Sequence, residues 1–171
     1  MIAEANVEMS SLVGTWMLDP ERRSVRFRTR AAWLIRAQGT LQATEGTAKV
    51  EADGRVSAKI VFDPASIDTK IKKRDDHLRA GDFFDVANYP AITFTVADLR
   101  PAPSGDLKVA GKLEVHGRST SLTLPLAVGI EGESAVLSTE AVITKSILGM
   151  KKAPATKSWV TVRAHFVRAR P

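Results

Sequence analysis

No cysteine occurs among the 171 residues. A disulfide framework, a thiolate nucleophile and a thiolate metal site are therefore excluded, and the chain is compatible with either redox setting. Histidine is nearly as scarce. His77, His116 and His165 fall on different predicted elements without ligand spacing, which argues against a histidine-built metal centre. Long apolar runs are missing too: the stretch 122–130 is interrupted by Thr123 and Pro125, far short of the roughly 20 apolar residues of a membrane-spanning helix. The opening residues place Glu4 and Glu8 where a secretory signal needs basic side chains. Cytoplasmic residence is the expectation from that start. There is also no Gly-x-Ser-x-Gly elbow, P-loop, dinucleotide glycine fingerprint or His-Glu-x-x-His.

What is present describes an ordinary globular chain, with 44% hydrophobic and 26% charged residues. Its length suits one domain, and such a chain buries roughly 70% of its unfolded surface. The formal net charge of +6 permits attraction to anionic partners.

The dominant period is two. In Ser24-Val25-Arg26-Phe27-Arg28-Thr29-Arg30 the apolar positions alternate with arginine, the pattern of a half-buried strand with Val25 and Phe27 facing in. The same alternation marks Val56/Ala58/Ile60/Phe62, Ile92/Phe94/Val96, Leu107/Val109/Leu113/Val115, Leu122/Leu124/Leu126/Val128/Ile130, Ala135/Leu137/Thr139/Ala141/Ile143 and Val160/Val162/Ala164/Phe166. With 33–43 added, about eight strands are predicted. Turn signals at Asp53-Gly54, 101–105, His116-Gly117 and 129–132 separate most of them. Such short spacing predicts an antiparallel meander, and eight strands in meander order close into an up-and-down barrel without exposed edges. The interior of such a barrel is filled by side chains or just holds one small ligand. Val, Ile, Leu and Phe dominate the inward set, so any cavity is apolar.

One long interruption, 63–89, carries a predicted helix capped by Asp68 or Thr69 and running to Arg79, with Ile71 and Leu78 on its apolar side. Gly81 is expected to end it in the left-handed conformation and to act as a hinge, with Asp82 capping a second short turn through Phe83 and Phe84. A connection this long suggests a lid over one end of the barrel.

Catalytic readings are weak. Asp75 and Asp76 are adjacent, and neighbouring helix positions point about 100° apart, so they do not converge on one substrate. The simpler reading makes them partners for Lys72, Lys73 or Arg79. The arginines at 22, 23, 26, 28, 30 and 36 form a basic row, which reads as a solvated outer face in weak contact with anionic membranes. A nucleic-acid platform would add exposed stacking aromatics, and Phe27 lies opposite the row.

Four blocks carry a family resemblance: Ser66-Ile67-Asp68-Thr69, Arg74-Asp75-Asp76-His77-Leu78-Arg79, Asp82-Phe83-Phe84-Asp85 and Tyr89-Pro90-Ala91-Ile92-Thr93-Phe94. In order and spacing they resemble the YceI-like family of polyisoprenoid-binding, lipocalin-like proteins. Leu18-Asp19-Pro20 and the run from Val109 to Gly117 extend the likeness over about 16–168. The resemblance implies an elongated eight-stranded barrel with a helical insertion, holding an isoprenoid chain, an isoprenoid quinone, a polyprenyl phosphate or another amphiphile. Many such proteins are periplasmic. Two positions depart from the pattern: Ala31 stands where the family often has His, and Lys145, ahead of Ser146, Gly149 and Met150, stands where it has Arg.

The combined expectation is an all-β protein with an N-terminal extension, 1–14, and one barrel domain, 15–171. It binds, transports or sequesters an isoprenoid lipid or quinone, without catalysis and without a resident cofactor or metal. The expected apolar lining is Phe27, Trp33, Ile60, Phe94, Leu113, Leu124 and Leu137. Arg74 and His77 are read as donors to a ligand head group, with a competing structural role for Arg74 as partner of Asp68 or Asp85. Of Phe83 and Phe84, one is read as a core plug and the other as a gate. An enzyme acting on an amphiphile in the same barrel is the alternative, and a nucleic-acid-binding barrel ranks behind it. The lipid and a transient anionic membrane surface are the expected partners, with a homodimer left open.

Overall fold

The structure, a computed structural model, describes residues 9–19, 21–22, 24–30, 36–101, 107–149 and 157–169, with the side chains of 24–30, 36–37 and 145 outside the description. Nine strand segments occur: β1 (Gly14–Leu18), β2 (Ser24–Arg30), β3 (Arg36–Val50), β4 (Val56–Asp68), β5 (Ile92–Pro101), β6 (Leu107–Val115), β7 (Arg118–Glu131), β8 (Ser134–Thr144) and β9 (Lys157–Arg168). From β2 to β9 each strand pairs antiparallel with its successor, and β9 returns to β2. The result is the closed eight-stranded up-and-down barrel that the alternation predicted.

The ninth segment adds no ninth position. β1 and β2 lie end to end between the same two neighbours: β1 pairs with Val50 and Thr47 of β3 and with Phe166 and Arg168 of β9, whereas β2 takes 36–42 and 157–161. One barrel position is thus filled twice, with the chain stepping out around Asp19, whose N–H bonds the His165 carbonyl at 2.8 Å. The sequence reading omitted β1 because five residues show too little alternation.

β3 and β4 both run longer than predicted, and bulges are the reason. β3 was expected to end at Ala43, yet it continues to Val50 through register shifts at Thr40/Gln42 and Ala43/Glu45. Beyond the bulge the buried positions move from odd to even numbers, Ala43 giving way to Gly46 and Val50, which breaks the period a sequence pattern relies on. β4 likewise extends past buried Pro64 to Asp68, so the interruption is shorter than 63–89. The 15 residues of β3 cover about 50 Å of chain.

One end of the barrel is plugged. A 3-10 turn, Met9–Leu12, precedes β1, and residues 9–14, read from sequence as part of an extension, pack onto the barrel. Buried Leu12, Trp16, Leu18, Val50 and Phe166 meet there. Trp16 Nε1 donates to the Leu12 carbonyl at 2.8 Å, and the Arg168 guanidinium lies 4.3 Å from the Trp16 ring centre. The other end carries α1 (Lys72–Arg79), α2 (Lys145–Leu148) and the β6–β7 hairpin. That hairpin turns on His116 and Gly117, both at positive φ (52° and 73°), as a two-residue turn of this twist requires.

The helix differs from its prediction at both ends. It begins at Lys72 behind an extended Ile71 with no side-chain cap. Asp68 instead accepts the Lys70 N–H at 2.9 Å, and Thr69 binds Asp75. Gly81 has no positive φ; the left-handed residues in this segment are Lys70, at 67°, and Asp85, at 49°. A Cβ on Gly81 would meet nothing within 4 Å, so neither conformation nor space requires glycine there. Ile71 is 51% exposed, whereas Leu78 faces the barrel interior.

Candidate functional site

The barrel interior holds a cavity of about 430 Å³, within the roughly 300–1,000 Å³ range of small-molecule sites. It exists because small residues alternate with large ones along the inner faces. Ala48, Ala58, Ala141 and Ala164 line it between Ile60, Phe94, Leu113, Leu124, Leu137 and Val160. Gly111 on β6 is crowded by the neighbouring strand β5. A Cβ there would lie 2.4 Å from the Thr95 carbonyl oxygen and 2.7 Å from the Phe94 ring, so glycine lets that ring lie flat against β6.

Five of the seven residues read as lining, Ile60, Phe94, Leu113, Leu124 and Leu137, stand in this wall. Phe27 occupies a register position opposite Val160, which lines the cavity, but its side chain lies outside the described residues. Trp33 lies outside them altogether, as do Ala31 and the side chains of the arginine row at 26, 28 and 30.

The polar residues of the wall are Thr47, Lys59 and Thr139 along the strands and a larger group at the α1 end. Thr69, Arg74, His77 and Ser158 line the cavity there beside Phe83 and Phe84. Thr69 and Asp75 are both buried. The Asp75 carboxylate accepts the Thr69 N–H at 2.9 Å and its hydroxyl at 2.5 Å. Arg74 then donates through Nε to the Thr69 hydroxyl and through Nη2 to the Thr69 carbonyl, both at 2.8 Å. The expected pairing of Arg74 with Asp68 or Asp85 is not what forms: Asp68 holds Lys70, and Asp85 accepts from Asn88. Neutral oxygens fix the guanidinium at the cavity, and among the described residues no carboxylate neutralises it. Charge-assisted bonds from such a group are the strong kind. Sequence reasoning missed Thr69 and Asp75 as its supports, although both lie inside the blocks quoted above.

His77 stacks edge-on against Phe83 with ring centres 4.8 Å apart. Phe83 is buried and Phe84 half-buried, both on the cavity. Asp76 pairs with Lys72 and Arg79, and Arg79 also donates to the Ala65 and Ile67 carbonyls. The two Arg79–carbonyl bonds clasp α1 to β4, and the Asp76 pairs within the helix brace the arginine that makes them. His165 lies on the outer face, where burial, then Arg22 and Arg163, hold its imidazole below its ordinary pKa. Among the described residues no group of three or more His, Asp or Glu side chains forms a metal site, and no helix is long and apolar enough to cross a membrane.

The clasp is pH-sensitive. A backbone N–H and the ammonium of Lys70 hold Asp68 below the usual carboxylate range, and Lys72 does the same for Asp76. A depressed folded pKa contributes stability above the unfolded value and loses it as pH falls through the folded one. Hydrogen exchange over residues 68–79 is therefore expected to accelerate below about pH 4, ahead of the barrel strands. Equal acceleration in both would refute a local clasp.

Comparison with known proteins extends this picture. The YceI-like domain family model matches residues 16–167. The Protein YceI of Escherichia coli O17:K52:H18 is 29% identical over 119 residues, covering 67% of this chain and 62% of that protein. A UPF0312 protein of Vibrio campbellii is 36% identical over 73 residues, 43% of this chain and 38% of that one. The matched part thus spans less than two thirds of either relative. Among solved structures, Burkholderia cenocepacia BcnA superposes with a TM-score of 0.72 at 22% identity, covering 89% of this chain and 99% of that chain. A polyisoprenoid binding domain from Saccharophagus degradans, implicated in plant cell wall breakdown, gives 0.69 at 18% identity, with 90% and 98% covered. These likenesses show the same barrel. With a family match over nearly the whole barrel, the chain belongs to the YceI-like domain family.

Proposed function

We propose that the protein binds an amphiphile non-catalytically, an isoprenoid lipid or isoprenoid quinone in the first instance, with its tail in the barrel and its head at the α1 end. The observation that carries this reading is the largely apolar cavity with Arg74 held at its α1 end by Thr69, where among the described residues it makes no ion pair. Arg74 donates to a phosphate or to a quinone carbonyl, and His77 stands beside it. Burial of a forty-carbon tail at about 0.8 kcal/mol per CH₂ would total about 30 kcal/mol, beyond the roughly 18–21 kcal/mol ceiling of non-covalent binding. Ordering of the chain and its competing affinity for membranes offset the difference, so the bound lipid exchanges. The family membership and the likeness to the polyisoprenoid binding domain of Saccharophagus degradans support a binding protein over an enzyme.

Native mass spectrometry of the purified protein, followed by lipid extraction, tests the reading. One apolar ligand per chain is expected. A protein that stays empty after incubation with polyprenyl phosphate and with an isoprenoid quinone would overturn it.

A further inference from the structure

Most hydroxyls that line the cavity are committed inside the protein or stand in solvent. Thr69 donates to Asp75 and accepts from Arg74, and Thr139 donates to the Pro125 carbonyl at 2.6 Å. Thr47 is an exposed residue of β3. Ser158 differs from all three. It is only 9% exposed and lines the cavity, yet among the described residues its hydroxyl makes no hydrogen bond.

The strand explains why no partner is at hand. Ser158 is the second residue of β9 and pairs with Ile143 of β8 on one side and Thr29 of β2 on the other. Side chains stand off the pleat, away from the ladder bonds, and the Ile143 side chain offers no polar atom. Ser158 shares its inward face with Val160, Val162, Ala164 and Phe166, an otherwise apolar row on the cavity. A hydroxyl buried without a partner is costly, and an apolar residue of similar size would avoid that cost. The group that satisfies this hydroxyl therefore comes from the cavity.

Its position suits a ligand contact. The neighbouring pair, Thr144 with Lys157, ends the β8–β9 ladder where α2 begins, so Ser158 stands at the same end of the barrel as Arg74. β9 lies three positions round the barrel from β4, to which α1 is clasped, so the two side chains serve different sides of the cavity. We propose that Ser158 is a second polar contact for the bound amphiphile: its hydroxyl bonds an uncharged carbonyl, hydroxyl or ester oxygen of a ligand whose other polar group Arg74 holds. A hydroxyl both donates and accepts, which suits a neutral oxygen, whereas a guanidinium only donates and favours a strong acceptor. The site then prefers amphiphiles with oxygen at two places over chains that are pure hydrocarbon behind one head group. This contact deepens the lipid-binding reading and rests on it.

Competition against a fluorescent polyprenyl analogue tests the contact, with two probes that share a tail: a farnesyl-bearing quinone, and the hydrocarbon farnesene. Ser158→Ala is expected to weaken the quinone about three- to tenfold and to tighten farnesene, which no longer buries an unpaired hydroxyl. Ser158→Thr keeps the hydroxyl and is expected to keep the wild-type preference. Urea denaturation of the ligand-free proteins adds a second readout. The Ser158→Ala midpoint is expected to equal or exceed that of the wild type, because the substitution removes a buried group without a partner; a lowered midpoint would assign the hydroxyl a partner within the protein and overturn the proposal. Equal changes for the two probes would overturn it as well, while leaving the lipid-binding reading standing. If neither probe binds the wild-type protein, that reading falls and this contact falls with it.

Discussion

Leu113→Trp is expected to block the cavity while leaving the barrel folded. Leu113 lies on β6 beside Phe94 of β5 and faces the cavity. The Phe94 ring already rests on Gly111, so it has nowhere to retreat, and the indole must take the space of the ligand. Displacing two or three CH₂ groups at about 0.8 kcal/mol each removes about 1.6–2.4 kcal/mol of binding, a loss of roughly 15- to 60-fold. Overpacking a closed core costs about 1–3 kcal/mol. An open cavity absorbs most of that, so the denaturation midpoint is expected to change little. Titration with a fluorescent polyprenyl analogue decides the matter. Wild-type affinity in a variant with native circular dichroism would place the ligand outside the barrel.

Trp16→Ala is expected to produce the largest loss of stability, about 3–5 kcal/mol. The ring is 4% exposed and is the centre of the plugged end. Its removal takes away the bond to the Leu12 carbonyl and the surface beneath Arg168, which also ties down the turn by donating to Ser11 and Val13. Against a total of about 5–15 kcal/mol for a single domain, a loss of this size is severe. Arg168→Ala, which removes the exposed cation over the ring and its bonds to the Ser11 and Val13 carbonyls, is expected to cost less, about 1–2 kcal/mol. Urea denaturation of the two variants tests the ranking, and equal midpoints would mean that the plug contributes little.

The barrel was legible in the sequence because a closed meander with an apolar interior forces period two on every strand. Ile60, Phe94, Leu113, Leu124 and Leu137 were readable as one face for that reason, before any partner strand was known. Where the period slipped, so did the reading. The bulges in β3 move the buried positions from odd to even numbers, and a pattern counted along one strand cannot register a residue that its partner leaves unpaired.

The α1 segment marks the boundary between the two kinds of information. Its residue types announced a helix and a polar cluster, but capping and pairing were assigned to whatever lay near in sequence. The structure gives Asp75 to Thr69, Thr69 to Arg74 and Arg79 to the carbonyls of Ala65 and Ile67, and it puts the left-handed residues at Lys70 and Asp85 rather than at Gly81.

By itself, then, the sequence determined the strand alternation, the apolar inner face, the absence of thiol chemistry and the motif blocks of the family, all of which are local or one-dimensional properties. Only the tertiary structure decided that β1 and β2 share one barrel position, that residues 9–14 close one end, and that the Arg74 guanidinium stands at the other, held through Thr69. Those outcomes depend on hydrogen bonds between residues brought together by barrel closure. Which donor meets which acceptor is set by strand register and by the path of the chain in space, and neither is written in the spacing of residue types.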